Sequence, residues 1–168
     1  MSSIRAQRLL PLLFVMLALA LPGCGEDEEA ERPPEAAADF TLELFSGERF
    51  QLSQYKGRAL VINVFASWCI PCKAEAPVLE KVYQDYRQRD VLVLGVAVQD
   101  TEEAARGFVA EHGISFPTGL DADGKFKASW RIYGVPHSFF IDSAGLIRYS
   151  HVGAVNEELL KHELDKML

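Results

Sequence analysis

Cationic clusters are missing from this chain. Net charge is −7, with 17 basic against 24 acidic residues, and no run of Lys or Arg interleaves with aromatics. Nucleic acid and anionic membrane surfaces are therefore not expected as partners. There is no Gly-rich phosphate loop and no internal repeat. The apolar run from Leu9 to Leu21, interrupted by Pro11, has 13 residues, fewer than the roughly 20 that cross a bilayer as a helix. Only four histidines occur, His112, His137, His151 and His162, and none stands at metal-ligand spacing to another, so no metal site is expected. Apolar residues are not lacking. They form 49% of the 168 residues, which excludes a wholly disordered chain and supports one domain with a short appendage.

The N-terminus reads as targeting, not structure. Arg5 and Arg8 precede the 13-residue apolar run, as in a secretory signal peptide. Leu21-Pro22-Gly23-Cys24 resembles a bacterial lipobox, which implies cleavage before Cys24 and acylation of that cysteine. An ordinary signal peptide with an incidental cysteine is the alternative. Without residues 1–23 the chain has 15 basic and 24 acidic residues, or −9. Two or three acyl chains on Cys24 would anchor it stably. Glu26 to Glu35 holds six acids, Arg32 and Pro33-Pro34, a composition that cannot bury a core. The expected organisation is a signal peptide over 1–23, an acidic disordered tether over 24–38 and a folded domain over 39–168. The expected location is extracytoplasmic, lipid-anchored to a bacterial membrane and facing the periplasm in a Gram-negative cell.

Within the domain, Phe40–Leu44 and Phe50–Leu52 flank Ser46-Gly47 as an N-terminal hairpin. Ala59–Phe65 and Val91–Val98 are apolar, β-branched runs that predict central strands buried on both faces. Between them Val78, Leu79, Val82, Tyr83 and Tyr86 mark one helix face, so the segment predicts a βαβ unit. Asp100 and Glu103 form a capping-box pattern for a helix through His112, with Gly113 at C′. A polar turn at 121–124 leads to a short helix ending near Arg131. Ser138–Ile141 and Leu146–Tyr149 predict an antiparallel hairpin. Asn156 caps a final helix carrying Leu159, Leu160, Leu164 and Leu168. The predicted fold is α/β, a mixed central sheet with helices on both faces.

Cys69-Ile70-Pro71-Cys72 lies just after the first buried strand and opens the helix. Amide N–H groups and the macrodipole at a helix N-terminus favour a thiolate, the form that attacks disulfides. Cys69 at the helix mouth is the expected nucleophile, and Cys72, one turn further in, the resolving thiol. A purely structural disulfide would gain little from so short a loop. A zinc site would need two more ligands. Buried free thiols would fit poorly with Trp68 and Pro71, which suggest a shaped, exposed surface.

Phe65-Ala66-Ser67-Trp68-Cys69-Ile70-Pro71-Cys72-Lys73-Ala74-Glu75-Ala76-Pro77 resembles the signature of TlpA/ResA-like thiol–disulfide oxidoreductases, a membrane-tethered branch of the thioredoxin superfamily. The resemblance spans about Asp39 to Leu168 and implies a thioredoxin-like fold, with the redox-active disulfide as the only cofactor. Gly134-Val135-Pro136 matches the loop that carries a cis-proline in this superfamily, against a trans proline starting a strand. A cis-proline there would leave the Val135 backbone free to pair with a substrate strand. Trp68, Pro71, Val135 and Pro136 are thus the expected substrate-binding residues. Thioredoxin keeps a buried Asp six residues before its first cysteine, where this chain has Asn63. Relatives of this branch carry a Glu near the thiols, which makes Glu75 the expected proton shuttle. An exposed Glu touching the helix dipole is its alternative. Pro77 matches the interior proline that bends active-site helices of the superfamily.

The apolar Ile70 and the Pro71 that lacks an N–H offer little extra support to a thiolate, so a reducing or intermediate potential is expected, hence a reductase. Outside the membrane it would need electrons from a membrane thiol transporter of the DsbD or CcdA kind. By family analogy, its substrates would be apocytochrome c or copper-site assembly cysteines. A thiol peroxidase is the nearest enzyme alternative, but its motif Pro and Thr are replaced by Ile62 and Ala66. A copper chaperone holding Cu(I) between the cysteines and His137 is the rival of another class. Nothing in the sequence calls for an obligate dimer, and a monomer is expected.

Overall fold

The computed structural model describes residues 34–168. The signal peptide, Cys24 and the tether up to Pro33 lie outside the described residues. In chain order the elements are β1 (Glu35–Ala36), β2 (Thr41–Glu43), β3 (Arg49–Gln51), a 3-10 turn (Leu52–Tyr55), β4 (Ala59–Phe65), α1 (Ile70–Tyr86), β5 (Val91–Ala97), α2 (Glu102–Glu111), β6 (Thr118–Leu120), α3 (Lys125–Ser129), β7 (His137–Ile141), β8 (Leu146–Val152) and α4 (Glu157–Met167). The main sheet has the order β1-β8-β7-β4-β5-β6, and β2–β3 form a separate pair. β4, β5 and β6 run parallel, while β7, β8 and β1 add on antiparallel. This is the mixed sheet the pattern predicted, in the thioredoxin-like arrangement the resemblance implied.

β4 and β5 are buried along their whole length, as seven-residue apolar runs at a sheet centre must be. Alternation sends their side chains two ways. Leu60, Ile62 and Val64 join Leu92, Leu94 and Val96 beneath the β2–β3 hairpin and α3, where Phe50, Phe126 and Trp130 close the layer. Ala59 and Val61 join Val91 and Val93 on the other face, against Leu79 and Val82 of α1 and Leu160 and Leu164 of α4. Each large aliphatic side chain among these, fully buried, contributes about 1.5–3 kcal/mol. Phe65 continues that second face and stacks on Phe108 of α2 at 4.8 Å, so α2 lies beside α1.

Several boundaries differ from the sequence expectation. The ordered domain starts before Asp39: Glu35 and Ala36 pair with Ile147 and Leu146 on the edge of β8. Strand addition uses only backbone groups, which composition does not register. No sequence signal announces β6, because its three residues include Gly119 and carry no alternation. Gly119 bridges to Leu44, and a Cβ there would lie 2.4 Å from the Glu43 carbonyl oxygen. α2 begins at Glu102, and its cap is Thr101, whose hydroxyl accepts the Ala104 N–H. Asp100 is engaged elsewhere. β7 and β8 are longer than expected and end at the pair His137–Val152.

Candidate active site

The C-terminal end of β4 turns sharply into α1. Cys69 is the N-cap of α1, with extended backbone angles, and Pro71 sits in the first turn, where its missing N–H costs nothing. The Cys72 N–H donates to Cys69 Sγ at 3.2 Å, so an orphan amide of the helix start points at the sulfur. Cys69 and Cys72 form a disulfide.

A loop between β5 and α2 braces this turn. Asp100 accepts hydrogen bonds from Ser67 N–H at 2.6 Å and Ser67 Oγ at 2.9 Å. Gln99, held in the left-handed region at φ +51, presents its carbonyl to the Trp68 indole N–H at 3.0 Å. Trp68 and Ile70 stand out at 60% and 80% exposure, while Cys69 is 4% exposed and Cys72 1%. The exposed feature is thus an apolar rim with the disulfide recessed behind it. Pro71 is exposed beside that rim.

The Val135–Pro136 bond is cis, as the resemblance implied. Pro136 is buried and Val135 packs against the cluster that contains both cysteines. Among the described residues nothing bonds to the N–H or C=O of Val135. Tyr133, 91% exposed, and Val152, 70% exposed and paired with His137, are further exposed apolar side chains near this strand end.

Glu75 is 1% exposed, which removes the alternative of a surface glutamate. Its Oε1 accepts from Asn63 Nδ2 at 2.8 Å, and its Oε2 accepts from the Val155 N–H at 2.8 Å. Asn63 Nδ2 also donates to Ser138 Oγ at 3.1 Å. Burial pushes the Glu75 carboxyl up to about 7, against the two hydrogen bonds that favour its ionised form. A carboxyl that exchanges its proton near neutrality therefore sits one turn after Cys72 on α1. Nothing in the sequence singles out Ser138 and Val155 as part of this site. They lie 75 and 80 residues from their partners, and no local pattern marks them.

His137 is not brought to the cysteines. Ser138 points toward α1 through Asn63, so its neighbour His137 points to the opposite face, where it stacks on Phe139 at 4.1 Å. Burial lowers its affinity for a proton. Among the described residues no three Cys, His, Asp or Glu side chains cluster as metal ligands would.

Residues 33–150 match the AhpC/TSA family. The chain belongs to that family. The thiol–disulfide oxidoreductase ResA of Oceanobacillus iheyensis is 30% identical to it over 165 residues, covering 96% of this chain and 86% of the relative. Among solved structures, StoA from Bacillus subtilis superposes with a TM-score of 0.67 at 26% identity, covering 78% of this chain and 99% of StoA. A secreted Mycobacterium tuberculosis disulfide oxidoreductase, described as homologous to DsbE of E. coli, gives 0.66 at 25% identity over 76% of this chain and 95% of that one. This AhpC/TSA member is accordingly a thiol–disulfide oxidoreductase of ResA and DsbE type, with Cys69 and Cys72 as its cysteine pair.

Proposed function

We propose that this oxidoreductase works outside the cytoplasm as a reductase of protein disulfides. The observation that carries the reading is the Cys72 amide aimed at Cys69 Sγ at the mouth of α1, next to the buried Glu75. In the reduced protein Cys69 attacks as a thiolate and forms a mixed disulfide with the client, expelling one client thiolate. Cys72 passes its proton to Glu75, attacks Cys69 Sγ and releases the second client thiolate. Two electrons leave the protein, and the Cys69–Cys72 disulfide remains. Trp68, Pro71, Val135 and Pro136 hold the client, whose extended backbone pairs with the free N–H and C=O of Val135.

The apolar Ile70-Pro71 pair supports a reducing direction, because it adds no donors that would favour the thiolate state. Re-reduction then falls to a membrane thiol donor of the DsbD or CcdA kind. Clients are cysteines of apocytochrome c or of copper-site assembly proteins. The lipobox-like Cys24 and the secreted relative support an extracytoplasmic, lipid-anchored placement. No described helix is long and apolar enough to cross a membrane. The copper-chaperone reading loses its third ligand, since His137 faces away from the cysteines.

Cys72→Ser, expressed in intact cells, tests the division of labour. It should accumulate mixed disulfides through Cys69, and mass spectrometry of the trapped clients names the pathway. Capture by Cys69→Ser in place of Cys72→Ser would reverse the two roles.

A further inference from the structure

Asn63 stands where thioredoxin keeps a carboxyl, and it cannot titrate. Its amide nevertheless occupies the middle of a buried chain of contacts. One hydrogen-bonding arm reaches Glu75 Oε1 at 2.8 Å, and the same nitrogen reaches Ser138 Oγ at 3.1 Å. Both contacts are fully enclosed, with Asn63 3% exposed and Ser138 not exposed at all. Ser138 lies two residues beyond Pro136 on β7, opposite Asn63 in the β4–β7 register. The other Glu75 oxygen is held by the Val155 N–H, and the same loop returns its Gly153 N–H to the Pro136 carbonyl at 2.9 Å. The carboxyl is thus gripped from two sides by groups fastened to the cis-proline strand.

The geometry points to Asn63, held in place by Ser138, as a positioning residue that fixes the Glu75 carboxyl and sets the pH above which it accepts the Cys72 proton. This rests on the proton-acceptor role of Glu75 proposed above. A carboxylate stripped of a donor in a dry site is harder to ionise. Removing the Asn63 donor therefore moves Glu75 further up, never down. Among the described residues burial and the hydrogen bonds from Val155 and Asn63, with no charged partner, set the Glu75 balance. Asn63 is the polar side chain β4 brings to Glu75, Gly95 lies opposite it on β5, and Ser138 is the β7 contribution. On α1, Cys72 lies one turn before Glu75, and Lys73 is exposed. On α4, Glu157 is tied to Lys81 and Lys161, and Glu163 to Lys166.

The test is a stopped-flow pH profile of mixed-disulfide resolution, from about pH 5 to 9 around the Glu75 value, in the full chain with a model peptide loaded on Cys69. The parent should show a rising limb near that value. Asn63→Leu, close to isosteric, should move that limb up by about one pH unit, the loss expected for one hydrogen bond to a charged group. Ser138→Ala should move it the same way by less, and Asn63→Leu should have no such effect in a Glu75→Gln background. A folded Asn63→Leu whose limb coincides with the parent's would overturn the assignment. Should that variant not fold, an unmoved limb in Ser138→Ala does the same. If Glu75→Gln alone leaves the parent's limb intact, the proton-acceptor reading fails first, and the two failures are told apart.

Discussion

Replacing Glu75 with Gln should make the stability of the oxidised protein lose most of its pH dependence near neutrality. In the unfolded chain the carboxyl ionises at its ordinary value of 4.5, whereas burial in the fold pushes it up to about 7. Between those values the folded state binds a proton that the unfolded state has released. Stability therefore falls as pH rises through this window and levels off above it. The gap corresponds to about 3 kcal/mol. The Glu75→Gln side chain has no titrating proton, so its contribution is flat. Its amide presents one acceptor to two donors, Asn63 Nδ2 and the Val155 N–H. One of them is left unmatched, at a pH-independent cost of about 1–3 kcal/mol. Near the lower end of the window, about pH 4.5, the variant should be the less stable protein, and by about pH 8 it should equal or exceed the parent. Urea titrations of both oxidised proteins at several points across that span, followed by tryptophan fluorescence, give the difference directly. Two curves that stay parallel throughout would refute the reasoning, because the buried carboxyl would then not be holding a proton.

Gly119→Ala should destabilise by about 2 kcal/mol or more, because the new Cβ would lie 2.4 Å from the backbone oxygen of Glu43, which cannot swing aside; a thermal midpoint indistinguishable from the parent's would contradict it. Asn156→Ala removes the side chain that accepts the Leu159 N–H at 2.8 Å and should cost about 1 kcal/mol in urea unfolding at constant m-value.

The parts legible in the sequence are those whose signal is local. Ala59–Phe65 and Val91–Ala97 declare themselves because both faces of each strand are apolar. The CxxC at a strand-to-helix junction and the Asn156 cap are likewise written within a few residues of where they act. Asp100 shows how a local pattern misleads. Its spacing to Glu103 imitates a capping box, yet its carboxylate binds Ser67, 33 residues earlier, and Thr101 takes the cap. The Glu75 site is half legible. Its presence near the thiols follows from the family pattern, but the partners that hold it come from β4, β7 and the loop before α4, joined only by the fold. β1 and β6 escape notice because two or three backbone-paired residues leave no trace in hydropathy.

The short strand β1 also sets where the described chain enters the sheet. Glu35 and Ala36 join the sheet beside Ile147 and Leu146, at the pole where β4 starts, whereas the cysteines follow the pole where β4 finishes. The seven residues of β4 separate the two, about 20 Å at the usual rise of a strand. Entry strand and sulfurs thus sit at opposite poles of one sheet, and the end that carries Cys69 and Cys72 is left clear of β1.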